Sequence, residues 1–121
     1  MDWYSAKRVH NEEGRKKIAA LDLECVYNQL TAPVATGGYE WSLKNAREAV
    51  NDYRSFLIEA LELSFQYDDE REHDARAWPS KAVDIVWHTH ILFTAKYFED
   101  CNDIFGHYLH HRPQVPPPVD E

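Results

Sequence analysis

The chain has 121 residues, of which 44% are hydrophobic and 13% aromatic. This length and composition are enough for one compact domain with a buried core, and too small for two domains. Its formal net charge of -8, from 21 acidic and 13 basic side chains, argues against a protein that binds the nucleic-acid backbone, because such proteins carry clustered Lys and Arg.

Neither a membrane span nor a secretory signal is predicted. The longest apolar run, within residues 82–98, is interrupted by Asp84, His88, His90 and Lys96, and a span needs about 20 apolar residues. The two cysteines, Cys25 and Cys101, lie far apart without the spacing of a disulfide framework, and no apolar stretch follows a basic N-terminal region. We therefore expect a soluble, cytoplasmic protein.

The first helical pattern covers residues 12–30. Apolar side chains recur there near a 3.6-residue period, at Ile18, Leu21, Cys25, Val26 and Leu30. The pattern predicts one amphipathic helix that ends at residues 31–33. Pro33, Gly37 and Gly38 then predict a loop.

A second helix is predicted over residues 43–66, with Ser42 as its N-cap and apolar residues at i, i+3, i+4 and i+7 spacing. It runs into an acidic segment, Asp68 to Asp74. Such a charge block is typical of a solvated loop. The alternative is an electrostatic contact with a basic partner protein.

The stretch VDIVWHTHILFT, residues 83–94, places two histidines in an apolar run. As a strand it would put Asp84, His88 and His90 on one face, whereas in a helix the two rings would point about 200° apart. We predict a helix over about 81–101, because no other segment alternates cleanly and an isolated strand would leave its backbone unpaired. Ser80 is its expected cap. Since the helix is apolar on nearly every side, we expect it to be central, with both histidines at least half buried.

The segment DIFGHYLHHRP, residues 103–113, predicts a short helix that folds back on the central one. Five of the seven histidines lie between residues 88 and 111, and the fold-back would bring His110 and His111 towards His88 and His90. Residues 113–121 hold four prolines and predict an extended tail. The expected fold is all-α: a compact single-domain bundle of four or five helices over residues 1–112, with a nearly all-apolar central helix.

The candidate site is a polar core cluster of these two segments, comprising Asp84, His88, His90, Cys101, His110 and His111. A zinc site is one interpretation, with ligands drawn from His88, His90, His107, His110 and His111, although neither an HExxH motif nor a pair of CxxC motifs is present. Asp84 and Asp103 each precede a histidine by one turn and would orient its ring. A second chemical interpretation is that Cys101 acts as a nucleophile with a nearby histidine as its base. A buried cysteine is, however, more often a small hydrophobic residue of the core.

The sequence resembles a known family over residues 53–113, about half the chain. The shared pattern is a WHTHIL core at residues 87–92 with Asp100-Cys101, Phe105-Gly106, Leu109-His110-His111 and Pro113 at matching distances, preceded by Tyr53-Arg54, Phe56-Leu57, Pro79-Ser80 and Val83-Asp84. It is similar to the glycine-rich-domain-containing-protein-like family. The resemblance implies a small helical domain of unknown biochemical activity. Many relatives carry an acidic residue where this chain has Phe93.

Two functions remain open from the sequence. The favoured one is a binding or regulatory module whose polar core cluster fixes one packing arrangement and whose acidic segment meets a basic partner. The other is a metal-dependent (zinc) enzyme or metal-binding protein that uses the histidines.

Overall fold

The computed structural model describes residues 3–66 and 79–111. This part of the chain contains no strand and forms a short 3-10 helix, Val34–Thr36, and five α-helices: α1 Trp3–Ala20, α2 Glu24–Thr31, α3 Leu43–Gln66, α4 Lys81–Leu92 and α5 Thr94–Phe105. The predicted all-α bundle is confirmed. None of the helices in the described ranges is both long and apolar enough to cross a membrane. The acidic segment and the proline-rich tail lie outside the described residues.

The core forms around α3, which contacts the other four helices, while α4 contacts α2, α3 and α5. The most deeply buried large side chains come from all five helices and from the segment after α5. They include Ile18, Leu30, Tyr53, Leu61, Val86, Tyr97 and Leu109. Because two of them are tyrosines, the core must also provide hydrogen-bond partners for phenol groups.

The helix predicted over residues 12–30 is in fact two helices, α1 and α2. The Asp22 carboxylate accepts a hydrogen bond from the Glu24 backbone N–H at 3.0 Å, which satisfies a free donor at the start of α2. The Arg54 guanidinium, from α3, donates to two carbonyl oxygens near the end of α1, at 2.6 and 2.9 Å. The prediction was wrong because a side chain distant in sequence stabilises a break that the apolar period does not register.

Helix α3 begins and ends where the sequence predicts. Its expected cap is present, since the Ser42 Oγ accepts from the Asn45 backbone N–H at 3.1 Å. The predicted loop before it contains the 3-10 helix, which Gly37 ends in a left-handed conformation with φ of 89°.

The helix predicted over residues 81–101 is also interrupted. Ser80 caps α4 as predicted, by accepting from the Val83 N–H at 3.2 Å. Phe93, with φ of -84° and ψ of 70°, separates α4 from α5, and its N–H donates to the His90 carbonyl oxygen at 3.1 Å. The chain turns there, so that α4 and α5 pack against each other. The apolar pattern continues through the turn because both helices bury apolar side chains.

The short helix predicted over residues 103–111 does not form. Its first residues complete α5, which Gly106 ends in a left-handed conformation with φ of 77°. Residues 107–111 are not helical. They still return towards α4, so the predicted direction of the fold-back is correct although the predicted conformation is not.

Candidate functional site

A buried histidine links three helices. His90, on α4, has a side chain that is 2% exposed. Its Nδ1 lies 2.7 Å from the Tyr53 hydroxyl on α3, and its Nε2 lies 2.8 Å from Oδ2 of Asp100 on α5. Both ring nitrogens are therefore engaged by side chains of neighbouring helices. We call these three residues the His90 chain.

The protonation of the His90 chain follows from its surroundings. Burial, with smaller contributions from Cys101 and Asp100, raises the pKa of the Tyr53 phenol well above its ordinary value. Tyr53 therefore keeps its proton and donates to Nδ1, so the ring proton is on Nε2 and is donated to Asp100. Burial also lowers the pKa of His90, although the Asp100 carboxylate opposes this. The ring is thus a neutral imidazole with all of its polar atoms hydrogen-bonded.

The Asp100 end of the chain reaches the surface. Asp100 is 17% exposed, and its Oδ2 also lies 3.0 Å from the Lys96 ammonium one turn earlier on α5. The Lys96 ammonium thus balances the charge of the Asp100 carboxylate at the solvent-exposed end of the His90 chain. The Tyr53 end, in contrast, is 0% exposed, so solvent reaches only one end.

A second hydrogen-bonded set ties the C-terminal segment to α4 and α5. The Trp87 indole N–H donates to the Tyr97 hydroxyl at 2.8 Å, and that hydroxyl donates to the Leu109 carbonyl oxygen at 2.5 Å. Burial raises the pKa of Tyr97, so the hydroxyl remains a donor. Cys101 is 3% exposed and contributes to raising the pKa of Tyr97.

His111 completes the attachment of this segment. Its Nε2–H donates to Oδ1 of Asp84 at 2.5 Å, and its ring centroid lies 4.3 Å from that of Trp87. The His88 ring is 6.5 Å from the His111 ring, between centroids. The expected approach of residue 111 to the level of residue 88 is therefore observed.

The structure distributes the six predicted cluster residues over separate places. His90 belongs to the buried chain, Asp84 pairs with His111, and Cys101 lies beside Tyr97. His88 is exposed. His110 is also exposed, with its ring 4.8 Å from that of Tyr108. The sequence prediction of one gathered cluster thus corresponds to two polar groups, one buried and one at the surface of α4.

The five histidines predicted as zinc ligands are similarly divided. Nδ1 of His107 lies 3.1 Å from the Tyr108 carbonyl oxygen, and His90 is held within its chain. Across residues 3–66 and 79–111, no three His, Cys, Asp or Glu side chains converge as a group able to hold a metal ion.

Sequence reasoning missed the partners of His90. Tyr53 occupies an apolar position of α3, where its hydroxyl gives no periodic signal. Asp100 and Tyr97 follow His90 by ten and seven residues, and they face it only because the chain turns at Phe93. A buried histidine requires two hydrogen-bond partners, and this requirement was the available clue.

Comparison with known proteins identifies a family for the chain. The model of the UCP032817-like family matches residues 28–116, which include α3, α4, α5 and all residues of the His90 chain. No curated protein and no solved structure matches. Because the match covers well over half of the sequence, the chain belongs to the UCP032817-like family.

Proposed function

We propose that the protein is a non-enzymatic binding module for a basic partner protein, and that its buried histidine network fixes the helix packing that presents the binding surface. The observation that carries the proposal is the complete pairing of His90, whose two nitrogens are bonded to Tyr53 and Asp100 inside the core.

The His90 chain has the residue types of a catalytic relay but lacks access. A general base must have a nitrogen within about 3 Å of a substrate proton, directly or through one water. Both nitrogens of His90 are occupied, and Tyr53, the residue in the place of a nucleophile, is 0% exposed. The arrangement supports a structural role, since a fully satisfied buried network favours one packing arrangement over others.

The hydrogen-bond network links helices that must stay rigid relative to one another if they are to present a binding surface. The His90 chain connects α3, α4 and α5, and the hydrogen bonds of Trp87 and Tyr97 hold the C-terminal segment against them. A preorganised surface loses less conformational entropy on binding than a mobile one. The net charge of -8 supports a basic partner, because complementary charge raises the rate of encounter.

Binding of a defined basic probe by the untagged full chain tests the proposal. A fluorescently labelled peptide of alternating Arg and Gly is titrated with the protein and compared with the matched peptide of Glu and Gly. We expect anisotropy to rise with the basic peptide only, and affinity to fall as salt is added. Equal binding of both peptides, or none of the basic one at low salt, would reject the proposal.

The position of the contact is tested separately. Charge reversal across the acidic segment, Asp68 to Asp74, weakens binding if that segment takes part. Binding that survives the reversal would remove this segment from the interface.

A zinc-binding function is the second candidate, and two observations favour it: His111 contacts Asp84, and the centroids of the His88 and His111 rings lie 6.5 Å apart. Metal analysis of untagged protein, repeated on His88→Ala and His90→Ala, separates the two. Stoichiometric zinc that is lost in His88→Ala but kept in His90→Ala would favour the metal site, because both nitrogens of His90 are bonded to Tyr53 and Asp100. Metal-free protein that melts earlier in His90→Ala alone would favour the structural network, because His90 is buried and His88 is exposed.

A further inference from the structure

A cleft of about 290 Å³ lies where the first turns of α3 face the start of α4. It is on a part of the surface that the histidine network does not use. Its lining residues combine one indole, one amide, two carboxylates and two small side chains: Trp41, Asn45, Glu48, Ala49, Asp52 and Ala82.

The sequence builds this cleft from one face of α3 and the loop before it. Asn45, Glu48 and Asp52 are three and four residues apart, so they follow each other along the same side of the helix. The Trp41 side chain lines the same cleft, and the Trp41 backbone N–H donates to the Leu30 carbonyl oxygen at 2.9 Å. The two alanines leave the space between α3 and α4 open.

The two carboxylates of the cleft are neighbours on the surface of α3. Glu48 and Asp52 are both exposed and lie one turn apart, an arrangement of like charges that destabilises a helix. Within residues 3–66 and 79–111, neither takes part in an ion pair, although Lys44 precedes Glu48 by one turn. A cation from another molecule would relieve this repulsion.

The Trp41 indole in the lining favours one kind of cationic side chain over another. An indole face attracts a cation, and a guanidinium is planar, so it stacks on the ring while its N–H groups donate to carboxylates in a forked geometry. An ammonium is a compact, strongly hydrated charge that lacks this planar match. The combination of Trp41 with Glu48 and Asp52 therefore fits arginine better than lysine.

The surroundings of the cleft are those of a protein interface rather than of a small-ligand site. Tyr39, whose ring centroid lies 6.0 Å from that of Trp41, is 38% exposed. Leu43, two residues after Trp41 in the sequence, is 58% exposed. Interfaces commonly surround an anchoring side chain with aromatic and apolar residues.

We propose that this cleft binds the guanidinium group of an arginine in a basic segment of a partner protein. The arginine stacks on Trp41 and donates hydrogen bonds to Glu48 and Asp52. This inference rests on the proposed function, since it names the side chain through which a basic partner is recognised.

The test uses the labelled Arg and Gly peptide, a matched Lys and Gly peptide and the untagged full chain. In the variant Glu48→Gln/Asp52→Asn we expect about tenfold weaker binding of the arginine peptide. The control Glu12→Gln/Glu99→Gln removes the same charge from exposed positions outside the cleft, so it should retain nearly all of the affinity. Trp41→Phe should also weaken binding, and the Trp41 indole N–H resonance should shift on titration.

The outcomes separate this inference from the function on which it rests. If the wild-type protein does not bind the arginine peptide, the proposed function fails and the inference falls with it. If wild type binds but the cleft and control variants lose affinity equally, the proposed function stands and the cleft is overturned as the site. Equal affinity for the arginine and lysine peptides would overturn the guanidinium assignment. If Trp41→Phe unfolds at the same temperature as the wild type, its weaker binding cannot be explained by a loss of folding.

Discussion

Removal of a single buried hydroxyl tests whether the His90 chain stabilises the fold. In Tyr53→Phe the ring remains in the core, but the hydrogen bond to Nδ1 of His90, 2.7 Å long in wild type, is lost. The imidazole cannot compensate by moving its proton to Nδ1, because Nε2–H is needed for Asp100. The substitution therefore leaves one buried acceptor without a donor.

The expected loss of stability follows from the cost of that acceptor. An unpaired buried polar atom costs about 1–3 kcal/mol, more than the net value of an ordinary hydrogen bond. We expect Tyr53→Phe to lower the free energy of unfolding by about 1–3 kcal/mol. For a chain of this size, each kcal/mol lowers the melting temperature by about 4 °C, which gives a decrease of about 4–12 °C.

Tyr27→Phe is the matched control. The Tyr27 hydroxyl is buried and has no hydrogen-bond partner among the described residues. Deleting it removes an unsatisfied group, so we expect a change within about 0.5 kcal/mol or a small stabilisation. Urea unfolding monitored by circular dichroism measures both variants under the same conditions.

Equal destabilisation by the two substitutions would refute the role of the His90 chain. A double-mutant cycle provides a second criterion. If Tyr53 and His90 interact directly, Tyr53→Phe should cost less in a His90→Leu background, with a coupling energy of about 1 kcal/mol. Additive losses would show that the two side chains contribute independently.

Three further changes probe the loop, the core histidine and the C-terminal segment. Gly38→Ala should destabilise by about 1–3 kcal/mol in urea unfolding, because the added Cβ would lie 2.2 Å from the Ala32 carbonyl oxygen. Stability should fall as the pH drops below 6.5, the ordinary pKa of histidine, because burial lowers the pKa of His90 and the unfolded chain then binds a proton that the folded ring does not. The pH dependence of the free energy of unfolding measures this effect. His111→Ala should cost about 1 kcal/mol through loss of its bond to Asp84, and should speed amide exchange in the C-terminal segment.

Each of these changes has its own control. Gly37→Asn should cost less than Gly38→Ala, because asparagine tolerates a left-handed φ better than most residues and the added Cβ would meet only Gln29 Nε2, at 3.8 Å. A loss as large as that of Gly38→Ala would contradict the steric argument. His90→Gln should flatten the slope of stability between pH 6.5 and the folded-state pKa, and an unchanged slope would assign the proton to another group. His110→Ala, at an exposed position, should have a smaller effect than His111→Ala. Equal losses would mean that the Asp84 contact contributes little.

The sequence was sufficient for α3 and for two helix caps, features that depend on neighbouring residues. Helix α3 and its Ser42 cap, and the Ser80 cap of α4, were predicted because side-chain periodicity and capping act within a turn or two of chain. A strand over residues 83–94 was rejected because no other segment of the sequence offered a strand to pair with it. The resemblance to the glycine-rich-domain-containing-protein-like family remains a prediction, as does the acidic segment as a contact.

Tertiary structure decided where the helices break and what the histidines touch. The break after α1 is stabilised by Arg54, which is distant in sequence. The break at Phe93 has apolar residues on both sides. The apolar periodicity of the sequence therefore continues through both breaks. His90 meets a tyrosine 37 residues earlier and an aspartate ten residues later, and neither distance is a helical repeat. Apolar periodicity records only that a side chain is buried. The partner of a buried polar atom depends on how the helices cross, which is a property of the whole packed domain.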